Sequence, residues 1–319
     1  MNLRVLVTGA NGFVGSALCA ALANRDYCVR GVVRDPSRSA GLICELTKVG
    51  DIGSNTDWSG SLIGVDIVVH LAARVHVMRD SATDPLAEFR RVNVAGTERL
   101  ALAAATAGVR RFVFLSSVKV NGERGGYNES DPPAPQDAYG ISKHEAELGL
   151  RVIAAETGME VVIIRPPLVY GPGVKANFHA LLWAVARGVP LPLGAIHNRR
   201  SLVALDNLVD FIRTCLDHPV AANQTFLVSD GEDMSTTDLL RRMAHALHVS
   251  ARLLPVPQGF IEWVAKMLGK EDLSQRLCAS LQVDISKART LLGWQPPVTV
   301  EMALRRTAAH FLNSRKHDE

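Results

Sequence analysis

Tyr139-Gly140-Ile141-Ser142-Lys143 places a phenol and an ammonium four residues apart. On a helix that spacing stacks both side chains on one face. A tyrosine near its ordinary pKa of about 10 is a poor proton shuttle at neutral pH, and a lysine cation beside it favours the phenolate and lowers that pKa. Twenty-two residues before Tyr139, the apolar run Phe114-Leu115-Ser116 delivers a further hydroxyl, Ser117. A serine at the end of a strand can donate to a substrate oxygen while the tyrosine delivers or removes its proton. Tyr139, Lys143 and Ser117 are therefore the candidate catalytic residues. The plainer reading has Ser116 and Ser117 merely cap the strand.

A second pattern sits near the start of the chain, in Thr8-Gly9-Ala10-Asn11-Gly12-Phe13-Val14-Gly15. Glycines three apart let the backbone turn sharply and approach a pyrophosphate without a Cβ in the way. The helix start behind them offers unpaired N–H groups and partial positive charge. Strand before and helix after are what dinucleotide binding demands. Gly9, Asn11, Gly12, Phe13, Val14 and Gly15 are the expected cofactor contacts. The end of the second strand reads Val32-Val33-Arg34-Asp35. A carboxylate there would accept from the ribose hydroxyls of NAD, whereas the Arg34 guanidinium suits the 2′-phosphate of NADP. The sequence favours NADP, with Asp35 keeping NAD open.

Positioning these groups requires a parallel sheet. Leu3–Val7, Cys28–Val33, Asp66–Leu71, Arg111–Ser116 and Glu160–Ile164 are apolar strand candidates, separated by helical stretches at Val14–Ala23, Thr97–Ala107 and Tyr139–Glu156. Near-continuous apolar strands between helices predict an α/β fold, a doubly wound parallel sheet of Rossmann type. A late strand, Thr225–Val228, and the Gly- and Pro-rich stretches after Arg165 suggest two lobes. Residues 1–170 and 203–230 form the expected dinucleotide-binding domain. Residues 171–202 and 231–319 form a smaller, mostly helical substrate lobe.

The net charge of +3 and the lack of a basic run argue against nucleic acid as a partner. Five scattered cysteines without paired spacing read as reduced thiols, not as a disulfide frame or a metal site. The first residues show no signal-peptide pattern, and no apolar run reaches the ~18 residues of a membrane span. A cytoplasmic protein is expected. Phe260–Leu268, amphipathic and rich in large apolar side chains, is expected to pack against the protein rather than lie on a membrane.

Taken together, these residues resemble the extended short-chain dehydrogenase/reductase family over nearly the full length. Gly9, Gly12 and Gly15 match its nucleotide turn, and Gly50-Asp51-Ile52 its adenine-contacting segment. His70-Leu71-Ala72-Ala73 and Asn93-Val94-Ala95-Gly96-Thr97 match the fourth strand and the helix after it. Ser117, Tyr139 and Lys143 match the catalytic trio, Arg165-Pro166 through Gly173 the exit from the sheet, and Leu292-Gly293-Trp294 the closing segment. The resemblance implies cofactor contacts at Asp51, Ile52, Leu71, Ala72, Ala73, Asn93, Ser116, Tyr139, Lys143 and Pro166. It points to the nucleotide-sugar branch, where an asparagine and an arginine contact the diphosphate, so Asn177 and Arg200, with Ser117, are the implied substrate contacts. Arg199 and Arg200 read otherwise as a solvated pair.

The implied reaction lies at carbon 4 of a UDP-sugar. Arg34 tilts the expectation toward reduction of a 4-keto-6-deoxy-N-acetylhexosamine nucleotide for surface polysaccharide, as in enzymes forming UDP-N-acetylquinovosamine. A UDP-hexose 4-epimerase holding NAD is the alternative, and a non-catalytic cofactor-sensing regulator the alternative of another class. The family's dimer, paired through Asn93–Ala107 and Tyr139–Glu156, is also implied. Two departures stand out: Asn121 where the family has tyrosine, and a basic loop at residues 74–79 in which Arg74 or His76 could meet the sugar or simply face solvent.

Overall fold

The structure is a computed structural model that describes residues 3–23, 25, 27–39, 41–75 and 84–318. Among these residues eleven strands follow in chain order: β1 Leu3–Thr8, β2 Tyr27–Val33, β3 Glu45–Lys48, β4 Ile67–His70, β5 Arg111–Leu115, β6 Gly125–Tyr127, β7 Glu160–Arg165, β8 Leu168–Tyr170, β9 Leu202–Ala204, β10 Thr225–Leu227 and β11 Leu281–Val283. Seven of them make one parallel sheet in the order β10-β7-β5-β4-β1-β2-β3. Strand order reverses direction at β1 and β4, which opens a crevice at their carboxyl ends. The register brings Thr8 beside His70, His70 beside Phe114, and Leu115 beside Ile164. Four strand ends therefore meet at one edge.

Helices cover both faces, which is why β4 is buried along its whole length. Phe13–Ala23 and Leu205–Asp217 pack over one face, with Leu18, Leu22, Phe211 and Ile212 in its core. Gly96–Thr106 and Ala138–Thr157 cover the other, with Leu100, Ala104, Leu150 and Ile153. Asp137 caps the latter helix by accepting from the Gly140 N–H at 2.7 Å, and Gly158 ends it in the left-handed conformation at φ 75°. A third core, including Tyr170, Phe178, Leu182, Leu240, Met243 and Phe311, belongs to the lobe beside the sheet.

Several elements differ from expectation. β3 escaped notice because it is short, polar and at an exposed edge. The helix expected at Thr97–Ala107 starts earlier, since Pro85–Phe89 continues through a wide turn, Arg90–Ala95, into Gly96–Thr106. From the stretch expected in the substrate lobe, Leu281, Val283, Ile285, Ala288, Leu292 and Trp294 join the core under the sheet. The segment expected to pack at Phe260–Leu268 forms helix Gln258–Met267, in which no side chain is buried. Trp263 is 58% and Met267 72% exposed. No helix among the described residues is long and apolar enough to cross a membrane.

Candidate active site

The glycine turn follows β1 directly. Gly9 takes φ +66°, and the Gly12 N–H donates to its carbonyl at 2.9 Å. A Cβ on Gly12 would stand 3.0 Å from that carbonyl oxygen, and one on Gly15 only 2.1 Å from it. No other residue fits at Gly15. The first turn of helix Phe13–Ala23 thus reaches the strand end with N–H groups lacking helical partners, while Asn11 and Gly12 are exposed above it. These residues fit the pyrophosphate of a dinucleotide.

Behind the turn lies a hydrogen-bonded chain that sequence reasoning missed. The Thr8 hydroxyl oxygen accepts from the Leu71 and Ala72 N–H groups, both at 3.1 Å, so its own proton goes to His70 Nδ1 at 2.7 Å. His70 Nε2 is then the protonated nitrogen and donates to Thr97 Oγ1 at 3.0 Å. Burial pushes the His70 imidazole down to about 3, helped by the Lys143 charge, so it is a neutral strut. Leu71 and Ala72, expected at the cofactor, have their backbone set by Thr8; Ala73, next along, is half-buried.

Beyond the end of β2, Arg34 is 82% exposed and its guanidinium stands 3.7 Å from the Asp51 carboxylate. Asp35 accepts from the Ser37 N–H and hydroxyl, capping the next short turn. Ile52 is half-buried beneath. Arg34 and Asp51 together thus offer both charges at the end of β2.

The candidate catalytic groups lie at and beside the ends of β5 and β7. Ser117 is extended at φ −156°, and its Oγ accepts from the Lys119 N–H at 3.2 Å, capping the turn Val118–Val120. No acceptor among the described residues takes its proton. Ser116 points inward and donates to Glu147 Oε1 at 2.5 Å, so its hydroxyl belongs to the framework. Pro166, also expected at the cofactor, accepts from the Val118 N–H at 3.0 Å and holds that turn.

Tyr139 opens the long helix, its ring edge-on to Phe89 at 6.1 Å. Lys143, one turn on, is buried; its ammonium donates to the Leu115 carbonyl at 2.7 Å and lies 4.2 Å from the Phe114 ring centre. The expected electrostatics need correction. Burial and then the Asp137 charge push Tyr139 above the ordinary phenol range, while burial drives Lys143 down to about 7 against the pull of Glu147. Desolvation disfavours both charged forms, so the protein alone does not supply the lowered phenol pKa that the spacing suggested.

Glu147, a further turn along the same face, anchors the site from below. Its carboxylate meets Arg165 at 2.5 and 2.9 Å, and the pair is almost wholly buried. Arg165 also donates to Asn121 Oδ1 at 3.0 Å. Asn121 is therefore a buried partner of this ion pair. The four-residue spacing Tyr139, Lys143, Glu147 was the available signal.

Asn93 is buried too, and its amide is committed to protein: Oδ1 accepts from the Arg74 N–H at 2.8 Å, and Nδ2 donates to the Arg74 carbonyl and Ser142 Oγ, both at 3.0 Å. It ties the chain after β4 to the helix Ala138–Thr157. Arg74 lies with its guanidinium 5.5 Å from the Phe89 ring centre. His76 lies outside the described residues.

Asn177 and Arg200 line one cleft of roughly 900 Å³ including its open mouth. It begins at Leu168, just beyond β7, and is walled by Phe178, Leu202, Leu239 and Leu277. Arg200 donates to the carbonyls of Arg276 and Ala279, and burial lowers its pKa. Arg199 is instead 69% exposed. Arg276, which sequence reasoning missed, lines the cleft beside Arg200. Two guanidiniums and an amide can grip a diphosphate.

A glycine-cradled turn and a Ser-Tyr-Lys edge on a parallel sheet are an arrangement that fits a dinucleotide-dependent enzyme. Residues 5–229 match the NAD dependent epimerase/dehydratase family. The chain is 49% identical to a UDP-glucose 4-epimerase of Vibrio cholerae, covering 98% of this chain and 97% of that one. It is 30% identical to the N-acetyl-alpha-D-glucosaminyl-diphospho-ditrans,octacis-undecaprenol 4-epimerase of Escherichia coli O157:H7, across 100% and 98% of the two chains. Among solved structures, a short-chain dehydrogenase/reductase superfamily protein from Agrobacterium tumefaciens with bound NAD superimposes with TM-score 0.77 at 25% identity, covering 99% of each chain. The chain belongs to the NAD dependent epimerase/dehydratase family and is an enzyme of its nucleotide-sugar epimerase branch.

Proposed function

We propose that the protein is a UDP-hexose 4-epimerase that works with retained NAD. The observation that carries this reading is the juxtaposition of Ser117, Tyr139 and Lys143 at one sheet edge with the cleft holding Asn177, Arg200 and Arg276 just past β7. Identity of 49% over 98% of the chain to a UDP-glucose 4-epimerase supports inversion at carbon 4.

The glycine turn and Arg34–Asp51 would hold the cofactor, whose nicotinamide supplies a two-electron acceptor and donor. Tyr139 takes the proton from the 4-hydroxyl and returns it once the sugar has presented its other face. Ser117 donates its unclaimed proton to the same oxygen. Lys143, anchored on Leu115, keeps a donor near the tyrosine. Asn177, Arg200 and Arg276 grip the diphosphate, which leaves the hexose to turn over.

The reduction expected from Arg34 gains no support from the comparisons, nor does a preference for NADP. Arg34 faces Asp51 across 3.7 Å, so a carboxylate able to accept from ribose hydroxyls is present beside it. The test is direct. Purified protein incubated with UDP-galactose and no added cofactor should form UDP-glucose, and denaturation should release NAD. Oxidation of added NADPH by a UDP-4-keto sugar, without epimerisation, would replace this reading with the reductase.

A further inference from the structure

Lys119 is two residues beyond Ser117, in the turn Val118–Val120, and it is part of no motif used above. Its ammonium bridges Asp137 and Glu123, the latter at 3.2 Å. Asp137 has two duties. One carboxylate oxygen, Oδ1, caps the catalytic helix at the Gly140 N–H, and the other, Oδ2, takes the Lys119 ammonium. Capping alone does not require a charge, since asparagine or serine caps as well. A carboxylate two residues before Tyr139 is costly, because it opposes formation of the phenolate.

We propose that Lys119 is a positioning residue for Tyr139: it neutralises Asp137 and holds it against the first turn of the catalytic helix, so that the phenol can give up its proton. The inference rests on the reading of Tyr139 as the proton-transferring group. Among the described residues, the charged groups around this point come from three sides: Asp137 and Lys143 from the helix Ala138–Thr157 and its cap, Lys119 and Glu123 from the loop after Ser117, and Arg74, whose guanidinium lies 5.5 Å from the ring of Phe89, the residue packed on Tyr139. Asp137 is the charge that raises Tyr139, second to burial. Glu123 braces Lys119 from the far side, and its second oxygen accepts from Gln275 Nε2 at 3.0 Å. Gln275 adjoins Arg276 on the helix Glu271–Cys278, so the clamp is fastened to an element of the diphosphate cleft.

The experiment follows the pH dependence of turnover on the sugar nucleotide that the parent protein converts. Lys119→Met leaves Asp137 uncompensated, so the rising limb of the profile should move up by about one pH unit. Rate below the limb should fall about tenfold, with KM unchanged. Lys119→Arg should restore the parent profile. Asp137→Asn keeps a cap and removes the charge, and in combination with Lys119→Met it should bring the limb back toward its original place. Thermal midpoints report any loss of fold. An unmoved limb in Lys119→Met, or a double variant displaced as far as Lys119→Met alone, overturns the proposal. If Tyr139→Phe keeps parental activity, the reading beneath it has failed instead, and the two failures are told apart by that single control.

Discussion

The sheet edge and the neighbouring cleft are built on opposite terms. At the edge most polar groups are spoken for: Thr8, His70, Asn93, Ser116, Glu147 and Arg165 spend their hydrogen bonds on one another, on the neighbouring Thr97, Ser142 and Asn121 side chains, or on backbone. The cleft is open and apolar-walled, with two guanidiniums and an exposed amide on its rim. On the proposed reading the edge would hold the chemistry to a fixed geometry, while the cleft would hold a ligand by charge and let it be exchanged. A 4-epimerase needs both, since a sugar must rotate against a stationary proton donor while its diphosphate stays gripped.

The contrast can be broken at either end. Tyr139→Phe should lower turnover by ~10²–10⁴-fold and leave KM nearly unchanged, as measured by steady-state epimerisation. Removing one partner of the buried pair, by Arg165→Met, should cost about 3–5 kcal/mol of stability in denaturant unfolding, because Glu147 is left charged and unpaired. Arg200→Ala should raise KM by roughly 10–100-fold with a smaller change in turnover, the worth of a charged hydrogen bond. Equal losses of turnover at Arg200 and Tyr139 would erase the distinction between the two regions.

Smaller effects sharpen it through pH. Lys143 is held down to about 7, below its ordinary value, so its burial penalty is full below pH 7 and is relieved as pH rises toward the unfolded pKa. Stability should therefore increase with pH above about 7, and Lys143→Met should lose that slope and melt higher than the parent at neutral pH. His70 is held down to about 3, so its contribution is present above the ordinary imidazole range and is lost as pH falls toward 3. His70→Asn should flatten the acid limb of the melting curve measured by circular dichroism.

Much of the edge was legible in the sequence, because its elements are long and their patterns regular. Apolar runs marked β1, β4, β5 and β7, and the glycine spacing marked a turn in which a Cβ at Gly15 has no room. What was lost depends on partners far apart in the chain. Thr8 meets His70 across 62 residues and Glu147 meets Arg165 across 18, and no local pattern announces either. Asn93 and Ser116 match family positions, yet their side chains turn to the framework. The same distance problem hid Arg276, which reaches the cleft 76 residues beyond Arg200. The lowered phenol pKa failed for a different reason: spacing reports proximity on a helix face, whereas desolvation depends on how deeply that face is buried.

The most direct measurement runs the reaction in heavy water. UDP-galactose is converted with no added cofactor, and carbon 4 of the product is read by nuclear magnetic resonance. If Tyr139 exchanges only the hydroxyl proton while the carbon-bound hydrogen is kept within the site, the UDP-glucose formed carries its original hydrogen at carbon 4, and Tyr139→Phe forms almost none. Deuterium at carbon 4, or equal conversion by Tyr139→Phe, would contradict the account.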